Sequence, residues 1–177
     1  MDAQDRRPTP ALRLRPVRLG DEEAFLAAHR ALADEGFHFG LGYQDGLAWP
    51  DYLALLDAHR RGVDLPAGYV PSTFLVAEVS GTLVGRTSIR HALTEYLARD
   101  GGHIGYGVLP SQRRRGYATE ILRQSLVIAR AAGHQHPIHA CGDDNLGSAA
   151  VIERCGGVLD SVVDTGDGPP TRRYWIA

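Results

Sequence analysis

Arg113, Gly116 and Ala118 are the residues whose types and spacing say most about chemistry in this chain. They stand in the run HIGYGVLPSQRRRGYATEIL, residues 103–122. Small residues at 116 and 118 let the backbone come close to an anion, where a large side chain would stand in the way. The first-turn amides of a helix point outward with partial positive charge. Arginines 113–115 add formal charge beside them. The chemistry expected is capture of a phosphate-bearing ligand. No Walker motif is present. Gly105-Tyr106-Gly107 lacks the third glycine and the following helix of a dinucleotide fingerprint, so nucleotide hydrolysis and nicotinamide binding lose support.

The loop can work only if a strand delivers it and a helix starts behind it. Residues 102–109 read as the strand, stopped by Pro110, which cannot continue a ladder. A helix follows over about residues 115–132, with Ala118, Ile121, Leu122, Ser125, Leu126 and Ala129 spaced along one face. Upstream, Leu12, Leu14 and Val17 suggest a first strand. The acidic run Gly20-Asp21-Glu22-Glu23 opens a helix with Phe25, Ala28 and Leu32 as its apolar stripe. Pro50 suits the first turn of a second helix carrying Tyr52, Leu55, Leu56 and His59. Between these helices, residues 34–49 are rich in glycine and aromatics and read equally as a binding wall or a packed loop. TFLVAEV, Ser80-Gly81 and LVGRTSIRH form a hairpin. Ile138 to Cys141 reads as a short strand, Asn145 to Cys155 as a helix ended by Gly156-Gly157, and 158–163 and 172–176 as closing strands. The fold class is α/β (α+β): a single mixed, mostly antiparallel sheet of six or seven strands flanked by four helices. It is not a doubly wound dinucleotide fold.

At 177 residues the chain fits one domain, expected over 11–177 behind a loose tail at 1–10. With 44% hydrophobic and 23% charged residues and a net charge of -2, general attraction to nucleic acid or membrane is not expected. Apolar runs are too short for a membrane span, the first residues lack a signal-peptide stretch, and only Cys141 and Cys155 are present. A cytoplasmic location without disulfides is expected. His134, His136 and His139 crowd together but lack an accompanying cysteine or carboxylate set, so no metal is assigned. Cys141 has no evident histidine partner, so no nucleophilic role is assigned.

On Arg113-x-x-Gly116-x-Ala118 the sequence resembles the GNAT superfamily of acyl-CoA-dependent N-acyltransferases, whose pyrophosphate signature is Gln/Arg-x-x-Gly-x-Gly/Ala. The order of elements from Leu12 onward also fits. A second match is Asp144-Asn145-Leu146-Gly147-Ser148, similar to the segment where that superfamily sets an Asn and a small residue beside the cofactor arm. The resemblance implies an N-acetyltransferase that uses acetyl-CoA as co-substrate, without metal, and transfers acetyl directly to a primary amine in a ternary complex. It implies that strand 102–109 and the strand near 138–141 splay apart around the pantetheine. An amide at Val108 or Leu109 would hold the thioester oxygen as charge develops. Arg113, Arg114, Arg115, Gly116, Tyr117, Ala118 and Thr119 would bind the pyrophosphate, and Asn145 and Ser148 the pantetheine.

One departure matters. Many relatives carry a tyrosine seven residues after that Asn, placed to protonate the departing thiolate; here the position is Ile152, apolar and core-like. Tyr174 and Tyr106 are the substitutes considered. Candidate bases are His91, Glu95 and His103, near strand ends. Asp45, Asp51 and Glu95 could attract a cationic amine. The expected partner is a small-molecule or peptide amine, with a homodimer left open. Two other readings stay open: a non-catalytic acyl-CoA-binding or sensing module of the same fold, and a protein-interaction domain whose basic turn meets acidic partners.

Overall fold

The computed structural model describes residues 11–164, 166 and 169–177; the expected tail at 1–10 lies outside the described residues. The chain runs β1 (Arg13–Arg15), α1 (Glu22–Ala33), α2 (Trp49–Arg61), β2 (Ser72–Val79), β3 (Thr82–Arg90), β4 (Ile104–Val108), α3 (Tyr117–Ala131), β5 (Ile138–Gly142), α4 (Leu146–Arg154), β6 (Gly157–Val163) and β7 (Thr171–Ile176). Short helical turns also occur at 19–21, 97–101 and 110–112. The strands form two antiparallel sheets, ordered β1-β2-β3-β4 and β5-β7-β6.

Alternation along the strands decides what covers each face. Val84, Val108 and Ile121 pack together, as do Ile89, Ile104, Leu122 and Ile152, so this face carries α3 and α4. On the opposite face Phe74 and Val76 meet Phe25, Leu32 and Tyr52 from α1 and α2. Phe25 lies 5.1 Å from the rings of both Phe39 and Trp49, and 5.2 Å from Tyr52. The 34–49 segment is therefore anchored as a packed loop, because burying its aromatics completes the α1/α2 core. Where α3 meets β3, Ser125 Oγ donates to Ile121 O at 2.7 Å and lies 2.9 Å from Thr87 Oγ1, which satisfies its buried hydroxyl.

The mixed sheet read from sequence is divided between β4 and β5. The two halves touch at one bridge, Gly102 opposite His139. Beside it, His103 N donates to Ile138 O at 2.8 Å, and Ile138 N donates to His103 Nδ1 at 3.0 Å. Gly102 has φ +66°, and a Cβ there would run into Ile138 O, so only glycine lets the sheets meet at this point. From Ile104 onward β4 pairs with β3 alone.

The junction depends on neutral imidazoles. His103 Nδ1 can accept from Ile138 N only when that nitrogen carries no proton. Burial, with His134 and Arg90 nearby, pushes His103 down to about 4. Burial, with His103 and Arg90 adding to it, pushes His139 down to about 3. In the unfolded chain both take up protons below about 6.5. Folded stability should therefore fall as pH drops from about 6.5 toward 4, because the unfolded state binds the extra protons. Discounted for the half-exposed His103, the loss between pH 7 and 5 is on the order of 2 kcal/mol. Thermal unfolding across that range should show the slope, and a His103→Gln/His139→Leu variant should flatten it. An unchanged slope in that variant would remove the histidines as its cause.

Candidate active site

The loop after β4 is built to expose amides. Pro110 to Gln112 make one tight helical turn, and the backbone then takes left-handed values at Arg114 (φ +63°) and Gly116 (φ +80°). Gly116 is the N-cap of α3, and no side chain caps the helix. The first intrahelical bond is Glu120 N to Gly116 O at 3.2 Å, so the amides of Tyr117, Ala118 and Thr119 have no acceptor within the helix. A Cβ added to Gly116 would meet nothing within 4 Å. The glycine is required by its backbone angle, and the space above it is open.

The three arginines do not act alike. Arg113 pairs with Glu35, Nη2 to Oε2 at 2.5 Å, and its Nε donates to Val108 O at 3.3 Å. Its charge is thus matched by a carboxylate, and the side chain fastens the loop to the end of α1 and to β4. Arg114 and Arg115 are exposed.

The edge of β4 divides its amides. Leu109 N donates to Val84 O at 3.0 Å and Arg90 N to His103 O at 2.7 Å. By alternation residues 105 and 107 also bond toward β3, leaving the amides of Tyr106 and Val108 on the edge that faces the gap. Of the two amides considered for the thioester oxygen, Leu109 is committed to the ladder and Val108 is the one facing the gap.

Tyr106 reaches across that gap. Its hydroxyl lies 2.9 Å from Ser148 Oγ on α4. Burial, partly opposed by the Ser148 hydrogen bond, pushes the phenol up to about 12. Asn145 Oδ1 accepts from Ser148 N at 3.0 Å, so the Asn side chain caps α4 and fixes the serine that meets Tyr106. Ile152 is fully buried against the α3 and β7 side chains, as its apolar character suggests.

The remaining expected residues are scattered. Tyr174 is fully buried in the same core, and its hydroxyl donates to Glu153 Oε1 at 3.2 Å. That places it under α4, with its polar end turned to the outer surface of that helix. Glu95 is exposed on the turn before the junction. His103 serves the junction itself, and His91 Nε2 is 2.8 Å from Thr73 Oγ1. Asp45 and Asp51 are exposed around the start of α2. Among the described residues no group of three or more His, Cys, Asp or Glu is arranged to hold a metal ion. No helix among them is long and apolar enough to cross a membrane. Two surface depressions of about 450 and 430 Å³ lie at the start of α1 and beside β1, away from the gap.

Two groups escaped notice in the sequence. Arg86 and Arg90 sit on β3, where charged residues interrupting an apolar strand were the available signal. Gly102 gave none, because its role depends on a strand distant in sequence.

The split sheet and the uncapped helix behind it are the arrangement the sequence resemblance implied, and sequence comparison agrees. Residues 28–157 match the acetyltransferase (GNAT) family model, and the chain belongs to that family. No curated protein sequence matches the chain. Among solved structures, Mycobacterium smegmatis RimJ in complex with CoA-disulfide is 24% identical, with 96% of this chain and 83% of that one covered and a TM-score of 0.69. The yncA protein from Salmonella typhimurium, with its cofactor acetyl-CoA, is 13% identical over 94% and 93% of the two chains, TM-score 0.64. Spermidine N-acetyltransferase from Vibrio cholerae, in complex with CoA and spermine, is 16% identical over 93% and 94%, TM-score 0.63.

Proposed function

We propose that this protein transfers the acetyl group of acetyl-CoA to the nitrogen of a primary amine, by direct attack while both substrates are bound. The uncapped amides at the start of α3, backed by two left-handed residues, carry this reading. They suit a diphosphate, and the unpaired β4 edge suits an extended amide-bearing arm. Structural neighbours that hold CoA or acetyl-CoA support the choice of ligand.

When bound, acetyl-CoA supplies an activated thioester whose C–S bond breaks as the N–C bond to the amine forms. The amides of Tyr117, Ala118 and Thr119 grip the diphosphate, with charge added by the exposed Arg114 and Arg115. Val108 N–H holds the thioester oxygen, a donor already fixed by the strand before reaction. Tyr106, held by Ser148, keeps its proton at neutral pH and delivers it to the leaving sulfur. The amine's proton passes to water, since His91 and His103 are engaged elsewhere and Glu95 stands out in solvent. Much of the rate comes from holding two reactants in line.

Acetyl-CoA at a hundred times its dissociation constant should stabilise the fold by about 2.7 kcal/mol, which raises Tm by roughly 5–10 °C. Thiol release on a panel of primary amines should accompany the shift. A shift with no release on any amine would favour a binding or sensing module instead. No shift at all would remove the coenzyme, and the reading with it.

A further inference from the structure

β3 presents three polar residues in alternation, Arg86, Ser88 and Arg90, to the face opposite α3. Both guanidinium groups reach over the same glycine of β4. A Cβ on Gly105 would lie 3.5 Å from Arg90 Nη2 and 3.6 Å from Arg86 Nη1. Arg86 is also stacked on Phe37, 4.5 Å from the ring centroid, which fixes its plane.

Their hydrogen bonds do not balance their charge. Arg86 donates to Gly105 O at 3.0 Å and to His38 O at 2.9 Å. Arg90 Nη1 donates to Gly101 O at 3.1 Å and Gly102 O at 2.8 Å, leaving its Nε and Nη2 without an acceptor among the described residues. Carbonyls satisfy N–H groups but carry no formal charge. Among the described residues neither arginine has a carboxylate partner. Cations drawn largely out of water are normally paired, and both arginines are half-buried. Here burial, with Arg90 adding to it, pushes Arg86 down to about 10. Three buried polar atoms on this side of the sheet also lack partners: Arg86 Nε, Ser88 Oγ and the Tyr52 hydroxyl. Orphaned buried groups gathered round two unmatched charges describe a site awaiting an anion.

We propose that the acceptor amine bears an anionic group, a carboxylate or a phosphate, which Arg86 and Arg90 hold over Gly105. The inference rests on the acetyl-transfer reading and names its substrate class. Gly105 precedes Tyr106 and Val108, whose amides face the gap, by one and three residues. Strand rise puts those amides about 3–10 Å away, the span of a small amino acid. This reverses the expectation that Asp45, Asp51 or Glu95 draws in a cationic amine, since all three are exposed and none of them pairs with Arg86 or Arg90.

The test compares matched acceptors: ω-amino acids, their carboxamides, aminoalkyl phosphates and spermine. The carboxylate or phosphate member should show kcat/KM at least about tenfold above the neutral amide, with the difference in KM. The better of the two anions identifies which group the site takes. Arg90→Gln should abolish the preference, and Arg90→Lys, which keeps the charge, should restore part of it. Because Arg86 also fastens the 37–39 loop, Arg90 is the safer position if Arg86→Gln folds poorly. Equal rates for anion and amide, a preference for spermine, or a preference that survives in Arg90→Gln overturns the proposal and leaves acetyl transfer standing. If no amine is turned over, acetyl transfer fails, and the arginine site is judged by binding. An ω-amino acid that raises the Tm of the CoA-loaded protein but not of CoA-loaded Arg90→Gln supports the site; no rise in either overturns it.

Discussion

Gly116→Val should weaken coenzyme A binding by at least about a hundredfold in a protein that still folds. Gly116 sits at φ +80°, a region that a β-branched residue enters only with strain. The space beside it is empty of protein atoms, so the chain itself offers no clash. The folding cost is therefore about 1–3 kcal/mol of backbone strain. Affinity suffers more, because relief of that strain rotates the amides of Tyr117 to Thr119 away from a common target. Two charge-assisted hydrogen bonds lost at about 1.5–3 kcal/mol each correspond to a hundredfold or more. Calorimetric titration with CoA measures the loss, and circular dichroism checks the fold. Gly133, at φ +97° after α3 and equally free of neighbours, supplies the control. Gly133→Val should incur similar strain and keep its affinity. Undiminished binding in folded Gly116→Val would put the diphosphate somewhere other than this loop.

Tyr106→Phe should lower kcat by about ten- to a hundredfold with little change in KM for acetyl-CoA, the range expected when one proton donor is lost. The phenol is held 2.9 Å from Ser148 Oγ, and with its pKa raised to about 12 it is fully protonated at neutral pH. Loss of the donor should be felt most with poor leaving groups and should remove any high-pH decline in kcat that reports its ionisation. Tyr174→Phe is the contrast. Its hydroxyl donates to Glu153 at the edge of the core and lies beside Arg172, away from the gap, so turnover should stay within about twofold and stability should fall by about 1 kcal/mol or less. If Tyr174→Phe rather than Tyr106→Phe slows the reaction, the assignment across the gap is wrong.

Where local pattern and global packing agree, the elements could be read directly. Phe25, Ala28 and Leu32 on α1, and Ile121, Leu122, Ser125, Leu126 and Ala129 on α3, are buried on the faces their spacing marks. Ser80-Gly81 turns the hairpin with positive φ at both residues, as a tight two-residue turn requires. The loop ahead of α3 is legible for the same reason: a proline stop, a glycine and a helix start are adjacent in sequence. Roles that depend on contacts distant in sequence were not legible. The pairing of Arg113 with Glu35, 78 residues away, leaves no mark in the local sequence. Likewise nothing local says that His103 accepts from Ile138 N or that Tyr174 packs beneath α4.

Sequence alone determined the helix faces, the hairpin, the glycine-led turn into α3 and the resemblance they carry, because each is encoded within about twenty residues by periodicity or backbone preference. Tertiary structure alone decided that the sheet splits after Gly102, which tyrosine spans the split, and that two arginines on β3 share one unbalanced site. These features arise from which side chains and charges meet once the chain closes. No spacing along the sequence records such meetings.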